Sequence, residues 1–118
     1  DRVYVVGDIS IGKRHIEKIG RCIGKKVLIK GNHDTEKLSV YAQYFEDVRG
    51  SHQFKGAVIT HIPIHPESLG RWGLNIHGHL HTNTVEDSRY FNVSVEQINY
   101  TPISLEEIKK LTKHNIER

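Results

Sequence analysis

The sequence is poor in several features that define other classes of protein. Of its 118 residues, one is cysteine (Cys22), one is tryptophan and none is methionine. A single cysteine excludes an internal disulfide and favours a reducing compartment, so we expect a cytoplasmic protein. No apolar run approaches the roughly 20 residues of a membrane-spanning helix, and no signal segment opens the sequence. We therefore expect no membrane partner.

The sequence also has no large excess of basic or acidic residues. The net charge is +3, from 17 basic and 14 acidic residues. The lysines are scattered, so no basic stripe supports a nucleic-acid surface, although nucleic acid stays open as a partner. The mild positive charge favours anionic ligands such as phosphates. With 36% hydrophobic and 26% charged residues, the composition predicts one globular domain over residues 1–118, of unknown oligomeric state.

Histidine, in contrast, is abundant: there are nine, and seven of them fall from position 33 to position 81. Polar residues able to bind metal follow each of four segments with strand character. Asp8 follows residues 3–6, Asn32 and His33 follow 26–30, His61 follows 57–60, and His79 and His81 follow 74–76. The carboxyl ends of strands in α/β folds lie along one edge, so these side chains are expected to converge there.

The order of elements predicts the fold class. Segments 13–22 and 35–45 have helical spacing of apolar residues and alternate with the early strands. Residues 47–54 predict a strand or hairpin arm, and residues 86–95 a hairpin with its turn at 86–88 and a strand over 89–95. Residues 104–115 predict a capped helix whose apolar face includes Ile108 and Leu111. The expected fold is α/β, with a mixed sheet or two packed sheets flanked by helices.

The clustered residue types match a pair of divalent metal ions. Imidazole with carboxylate and amide oxygens suits manganese first, with iron, nickel or zinc as further choices. His79 and His81 are two residues apart and point the same way in an extended segment, so they can reach adjacent ions. A carboxylate such as Asp8 can bridge two ions about 3.5–4 Å apart.

Four motifs together resemble one known family. They are Gly7-Asp8, Gly31-Asn32-His33-Asp34, His61 with Pro63 two residues on, and Gly78-His79-Leu80-His81. Their order and spacing resemble the calcineurin-like metallophosphoesterases, and most closely the small bacterial and phage branch, over nearly the whole chain. The resemblance implies an α/β/β/α sandwich, and hydrolysis of a phosphomonoester or phosphodiester by in-line attack of a metal-bound hydroxide.

The resemblance also assigns roles to the residues of the motifs. It implies that Asp8 bridges both metal ions, that Asn32, His61 and His79 complete one ion, and that His81 serves the other. It makes His33 the group that faces the substrate and protonates the leaving oxygen, with Asp34 orienting it. The expected partner is a small phosphate ester or a nucleotide. In the long loop 62–73, His65 and Arg71 are weaker candidates for contact with substrate.

One departure from the family pattern leaves an alternative open. Members of the family open with an Asp-x-His motif that supplies two more ligands, whereas here Asp1 is followed by Arg2 and Val3. We expect either that the chain is incomplete at its N-terminus and lacks a first strand, or that the second ion is poorly held. The alternative function is a catalytically impaired binding or scaffold domain with the same fold. The presence of His33 and Asp34 argues against it, because a scaffold needs no proton donor.

Overall fold

The computed structural model of the chain describes residues 2–6, 25–32, 34, 37–80, 83, 85–94 and 103–117. Within these ranges the strands form two small sheets accompanied by short helices. The strands are β1 (Arg2–Val6), β2 (Lys25–Ile29), β3 (Asp47–Arg49), β4 (Ser51–Phe54), β5 (Ala57–Thr60), β6 (Leu74–His77) and β7 (Tyr90–Asn92). The helices are α1 (Leu38–Tyr41), a 3-10 turn (Pro66–Ser68) and α2 (Leu105–Thr112). The expected α/β class is confirmed at this level.

The first sheet is parallel throughout and has the order β1-β2-β3. Val6 pairs with Ile29, so the carboxyl ends of β1 and β2 lie side by side. The β2 segment is buried on both faces from Lys26 to Ile29 and is mostly apolar. Such runs are typical of central parallel strands that are covered on both sides.

The second sheet has the order β4-β5-β6-β7. Strands β4 and β5 form an antiparallel hairpin whose turn contains Gly56, at a φ of 92° that favours glycine. Strands β5, β6 and β7 are parallel, and Thr60 pairs with His77. The carboxyl ends of β5 and β6 therefore also lie side by side.

Strand β2 places its side chains in two different clusters. Val27 and Ile29 share one buried cluster with residues of the second sheet, including Phe54, Ile59 and Ile76. Leu28 points to the opposite face, where it packs in a second cluster around α1, because successive side chains of a strand alternate. The first sheet is thus covered by the second sheet on one face and by α1 on the other.

Several predicted elements differ from those observed. In the described part of the helix predicted over residues 35–45, which is residues 37–45, α1 is followed by a turn in which the amide of Phe45 donates to the carbonyl of Tyr41. The segment 47–54 is not one strand: it bends at Gly50, and its halves β3 and β4 belong to different sheets. Burial of apolar side chains accounts for both differences. Tyr41 and Phe45 pack against the first sheet, whereas Phe54 belongs to the core between the sheets.

The C-terminal part also differs in detail. Strand β7 is shorter than predicted and pairs with β6 in parallel, so it is not a hairpin partner of β6. The predicted cap of the last helix is confirmed, since the Ser104 hydroxyl accepts from the amide of Glu107. Leu111 was expected on the buried face of this helix but is 60% exposed, whereas Ile108 is buried. The predicted helix at 13–22 lies outside the described residues. None of the described helices is long and apolar enough to cross a membrane.

Candidate metal centre

The carboxyl edges of the two sheets meet at His61. Its Nδ1 lies 3.2 Å from the carbonyl oxygen of Val6 at the end of β1. Its own carbonyl accepts from the amide of Gly78, which follows β6, at 2.9 Å. A Cβ on Gly78 would lie 3.0 Å from the same Val6 oxygen, so glycine allows this close approach. The predicted meeting of strand ends is therefore observed for these segments.

Three electron-pair donors converge at this edge from three separate strand ends. Nε2 of His61 lies 2.9 Å from Oδ1 of Asn32 and 3.2 Å from Nδ1 of His79. Ligand atoms about 2.1 Å from one metal ion lie about 3.0–3.4 Å apart when the angles at the ion are about 90–109°. The two separations are those of hydrogen-bonded atoms, and they also fit ligands that share an ion. We call these three residues the donor cluster.

The His61 ring lies between two hydrogen-bond acceptors. The carbonyl of Val6, next to Nδ1, can only accept, and Oδ1 of Asn32, next to Nε2, is also an acceptor. In the tautomer with its hydrogen on Nδ1, the ring donates to Val6 and turns the lone pair of Nε2 towards Asn32. Two acceptors this close repel each other unless a proton or a metal cation lies between them. Metal-binding histidines typically donate their other ring N–H to a carbonyl, as His61 does here.

A tight turn after β2 presents Asn32. The amide of Asp34 donates to the carbonyl of Gly31 at 3.2 Å, which closes the turn. The Asp34 side chain is 1% exposed, and its Oδ2 accepts from the amide of Gly31 at 2.8 Å. A buried carboxylate that accepts a backbone N–H holds the turn in one conformation. Asp34 therefore fixes the segment on which Asn32 is mounted.

His79 has an unusual backbone conformation. Its φ is +69°, and the amide of Leu80 donates to the carbonyl of Gly78 at 2.8 Å, two residues back. A bond of this span around a positive φ is the rare, strained form of the γ-turn. Positive φ costs a residue with a Cβ roughly 1–2 kcal/mol, and such strain concentrates at functional sites. Here it directs the His79 ring towards His61.

His77 lies one residue before this turn and is fully buried. Its Nδ1 is 3.0 Å from the carbonyl of Gly78, and its ring packs against Tyr90. Burial lowers the pKa of His77; the contact with the Gly78 carbonyl raises it, and His61 makes a smaller lowering contribution. The ring therefore packs inside the second sheet, where its contact with the carbonyl of Gly78 supports the turn.

The remaining candidate residues fall into two groups. Asp8, His33 and His81 lie outside the described residues. Over the ranges that are described, no group of three or more His, Cys, Asp or Glu side chains is placed to hold a metal ion, and the third donor of the cluster is an amide oxygen.

His65 and Arg71 contact residues outside the donor cluster. Nδ1 of His65 accepts from the amide of Glu67 and caps the 3-10 turn. Arg71 donates to Gln53 and lies over the ring of Trp72. The amide of Gly73, two residues after Arg71, donates to the carbonyl of Gly56 in the turn between β4 and β5. This contact places Arg71 near the amino ends of β5 and β6. The structure does not bring Arg71 to the edge that carries His61.

Two groups at this edge were missed at the level of sequence. The carbonyl of Val6 orients His61, but backbone atoms leave no signature in a sequence. Asn75 is fully buried in β6, and its amide bonds to Thr60 and to the amide of Ile64. The only available signal was an amide residue inside an apolar strand, where an unpaired polar group is costly.

Comparisons with known proteins support the fold and leave the activity open. No model of a known protein family matches the sequence. The chain is 35% identical over 124 residues to an uncharacterized protein from Methanocaldococcus jannaschii; the match covers 94% of this chain and 65% of that relative. The chain therefore spans just under two thirds of the length of this relative. The fold is similar to the crystal structure of a protein of unknown function from Aquifex aeolicus, with a TM-score of 0.73 and 26% identity over 94% of this chain and 76% of that one.

Proposed function

We propose that this chain is a metal-dependent phosphoesterase of the calcineurin-like type, built as an α/β/β/α sandwich around two divalent ions. One observation carries the proposal: the donor cluster brings Asn32, His61 and His79 from three strand ends to separations of 2.9 and 3.2 Å. The order of the four motifs and the two-sheet α/β fold support it.

Each residue has a defined task in this proposal. The donor cluster would hold one ion and His81 would serve the other, with Asp8, two residues after Val6 in the sequence, as a ligand shared by both. When bound, the ions supply positive charge that polarises a phosphoryl oxygen and lowers the pKa of water. His33 faces the substrate and gives a proton to the leaving oxygen. Asp34, which fixes the turn between Gly31 and Asp34, would orient His33.

The first test measures metal binding. Calorimetric titration with Mn²⁺ or Zn²⁺ should show two ions bound per chain, and His61→Ala should weaken binding by at least about tenfold. His114→Ala is the matched control, because this histidine contacts the carbonyl of Ser88 far from the donor cluster. Equal metal affinity in the wild type and in His61→Ala would exclude a metal site at the cluster.

The second test measures turnover. The full chain supplied with Mn²⁺ should hydrolyse p-nitrophenyl phosphate or its bis-ester, and Asn32→Ala should remove this activity while the His114→Ala control retains it. Absence of turnover with each of Mn²⁺, Fe²⁺, Ni²⁺ and Zn²⁺ would contradict the proposal. Binding of one ion or none, without turnover, would favour the alternative of a scaffold domain.

A further inference from the structure

A cavity of about 440 Å³ opens directly beside the donor cluster. Its lining includes Asn32 and His61 of the donor cluster together with Lys30, Gly50 and Ile62. Its volume lies in the range of about 300–1,000 Å³ that is typical of small-molecule pockets. A phosphoryl group with four oxygens takes the space of about four waters, or on the order of 120 Å³. The cavity therefore has room for a substituent as well as a phosphoryl group.

The apolar wall of this cavity is held in place. Ile62 is 51% exposed, which alone is ordinary for a single surface residue. Its carbonyl, however, accepts from the Thr60 hydroxyl at 2.7 Å. Two residues on, the amide of Ile64 donates to Asn75 at 2.9 Å and its carbonyl accepts from the Tyr90 hydroxyl at 2.6 Å. These bonds hold the backbone in place, so Ile62 is presented to the cavity at little cost in entropy on binding.

At Gly50 the lining of the cavity lacks a side chain. A Cβ built on Gly50 meets no atom within 4 Å, so the absent side chain leaves open space at the cavity. The described residues with positive φ do not include Gly50, so its backbone does not require glycine. A larger residue at this position would therefore narrow the cavity without straining the bend between β3 and β4.

The charge at the rim completes the arrangement. Lys30 is exposed, and its backbone amide donates to the carbonyl of Arg49 at 2.8 Å, which fixes its place at the end of β2. An ammonium group beside an apolar wall suits a ligand that carries both an anionic group and an apolar group. With the donor cluster on the same cavity, the anionic group of this ligand faces the cluster.

We propose, on the basis of the phosphoesterase function above, that this cavity binds an apolar substituent of the substrate. The preferred substrates are then phosphate esters of aryl or similarly apolar groups, with the phosphoryl group at the donor cluster and the substituent in the part of the cavity lined by Ile62 and Gly50. Small alkyl esters leave the cavity unfilled. The preference resides in binding and precedes any chemical step.

The test uses phosphonates, which bind without being hydrolysed. Isothermal titration of the full chain with Mn²⁺ should show phenylphosphonate binding about tenfold tighter than methylphosphonate, since the phenyl ring leaves water. Gly50→Leu should remove this preference and leave the affinity for methylphosphonate unchanged. Ser51→Leu, at the exposed neighbouring position, is the matched control and should keep the preference, and thermal melting checks that each variant folds.

The outcomes separate this inference from the proposed function. Equal affinity for the two phosphonates in the wild type, no binding of phenylphosphonate, or an unchanged preference in Gly50→Leu would overturn the inference. Tighter binding of phenylphosphonate without hydrolysis of any ester would support the apolar binding site and contradict the proposed phosphoesterase activity. Hydrolysis of methyl and phenyl phosphate with equal kcat/KM would uphold the enzyme and remove the apolar preference.

Discussion

Single atoms decide how closely the two sheet edges approach each other. A methyl group on Gly78 would lie 3.0 Å from the carbonyl oxygen of Val6 and 3.7 Å from Nδ1 of His61. We expect Gly78→Ala to lower the free energy of unfolding by about 1–3 kcal/mol, because overpacking forces the backbone to shift. Metal affinity should fall with it, because the shift separates His61 from its neighbours. Chemical denaturation and metal titration measure the two effects.

Gly50→Ala is the matched control for this change. A Cβ at Gly50 meets nothing within 4 Å, so this variant should keep both stability and metal affinity, or gain slightly from a less flexible unfolded chain. Equal behaviour of the two alanine variants would show that the approach of Gly78 to Val6 is not tight.

Backbone strain at His79 gives a second prediction at this scale. Glycine at position 79 would adopt the φ of +69° without backbone strain, but the substitution would also remove the imidazole. His79→Gly should therefore change the free energy of unfolding by no more than about 1 kcal/mol and weaken metal binding by at least about tenfold. Thermal unfolding and metal titration, performed on the same sample, measure both quantities.

Lys113 offers a control with the same backbone feature. It ends α2 at a φ of 58°, away from the donor cluster. Lys113→Gly should raise the free energy of unfolding by about 1 kcal/mol and leave metal binding as it is. If His79→Gly also left metal binding unchanged, the strain at His79 would be a property of the turn alone.

At the scale of elements, the segment after β5 is fixed to the second sheet by polar side chains. The Tyr90 hydroxyl donates to the carbonyl of Ile64 at 2.6 Å, so Tyr90→Phe leaves this partly buried acceptor unpaired. We expect a loss of about 1–3 kcal/mol in the free energy of unfolding. Hydrogen exchange should rise at the amide of Ile64. Tyr44→Phe, in the cluster around α1, is the control and should leave that amide protected.

The sequence predicted those elements whose signals were local. Residues 57–60 form a strand as expected, because four apolar or β-branched residues lie between a glycine turn and a polar end. The two strands within residues 47–54 are not predictable in this way, because the change of sheet at Gly50 depends on packing between the sheets and not on local composition. The parallel pairing of β7 with β6 is equally non-local, because a turn signal predicts that the chain reverses but not which strand becomes the neighbour.

The candidate site divides in the same way. The convergence of Asn32, His61 and His79 followed from the rule that strand ends share an edge. The approach of Gly78 to Val6 did not follow, because it depends on how two separate sheets are placed against each other. For Arg71, a position in a long loop was too weak a signal to predict which end of the sheet it would reach.

At the scale of the whole molecule, an aromatic contact joins the two sheets. Tyr4 of β1 lies 4.7 Å from the ring of His52 and 5.5 Å from that of Phe54, both in β4. Burial lowers the pKa of His52, and the positive charges of Arg49 and Arg2 lower it further, while Asp47 opposes them. Protonation of His52 therefore places a charge in the packing between the sheets.

This contact predicts how stability depends on pH. The pKa of His52 is lower in the folded chain than the 6.5 of an unfolded chain, so the unfolded state binds the proton first. Stability from this group is complete above pH 6.5 and is lost as the pH falls below it. Denaturation at a series of pH values should show a smaller loss in His52→Phe than in the wild type, and His114→Gln is the control. An NMR titration of Arg49→Gln should show the His52 pKa nearer 6.5; an unchanged pKa would leave burial and Arg2 as the causes of the shift.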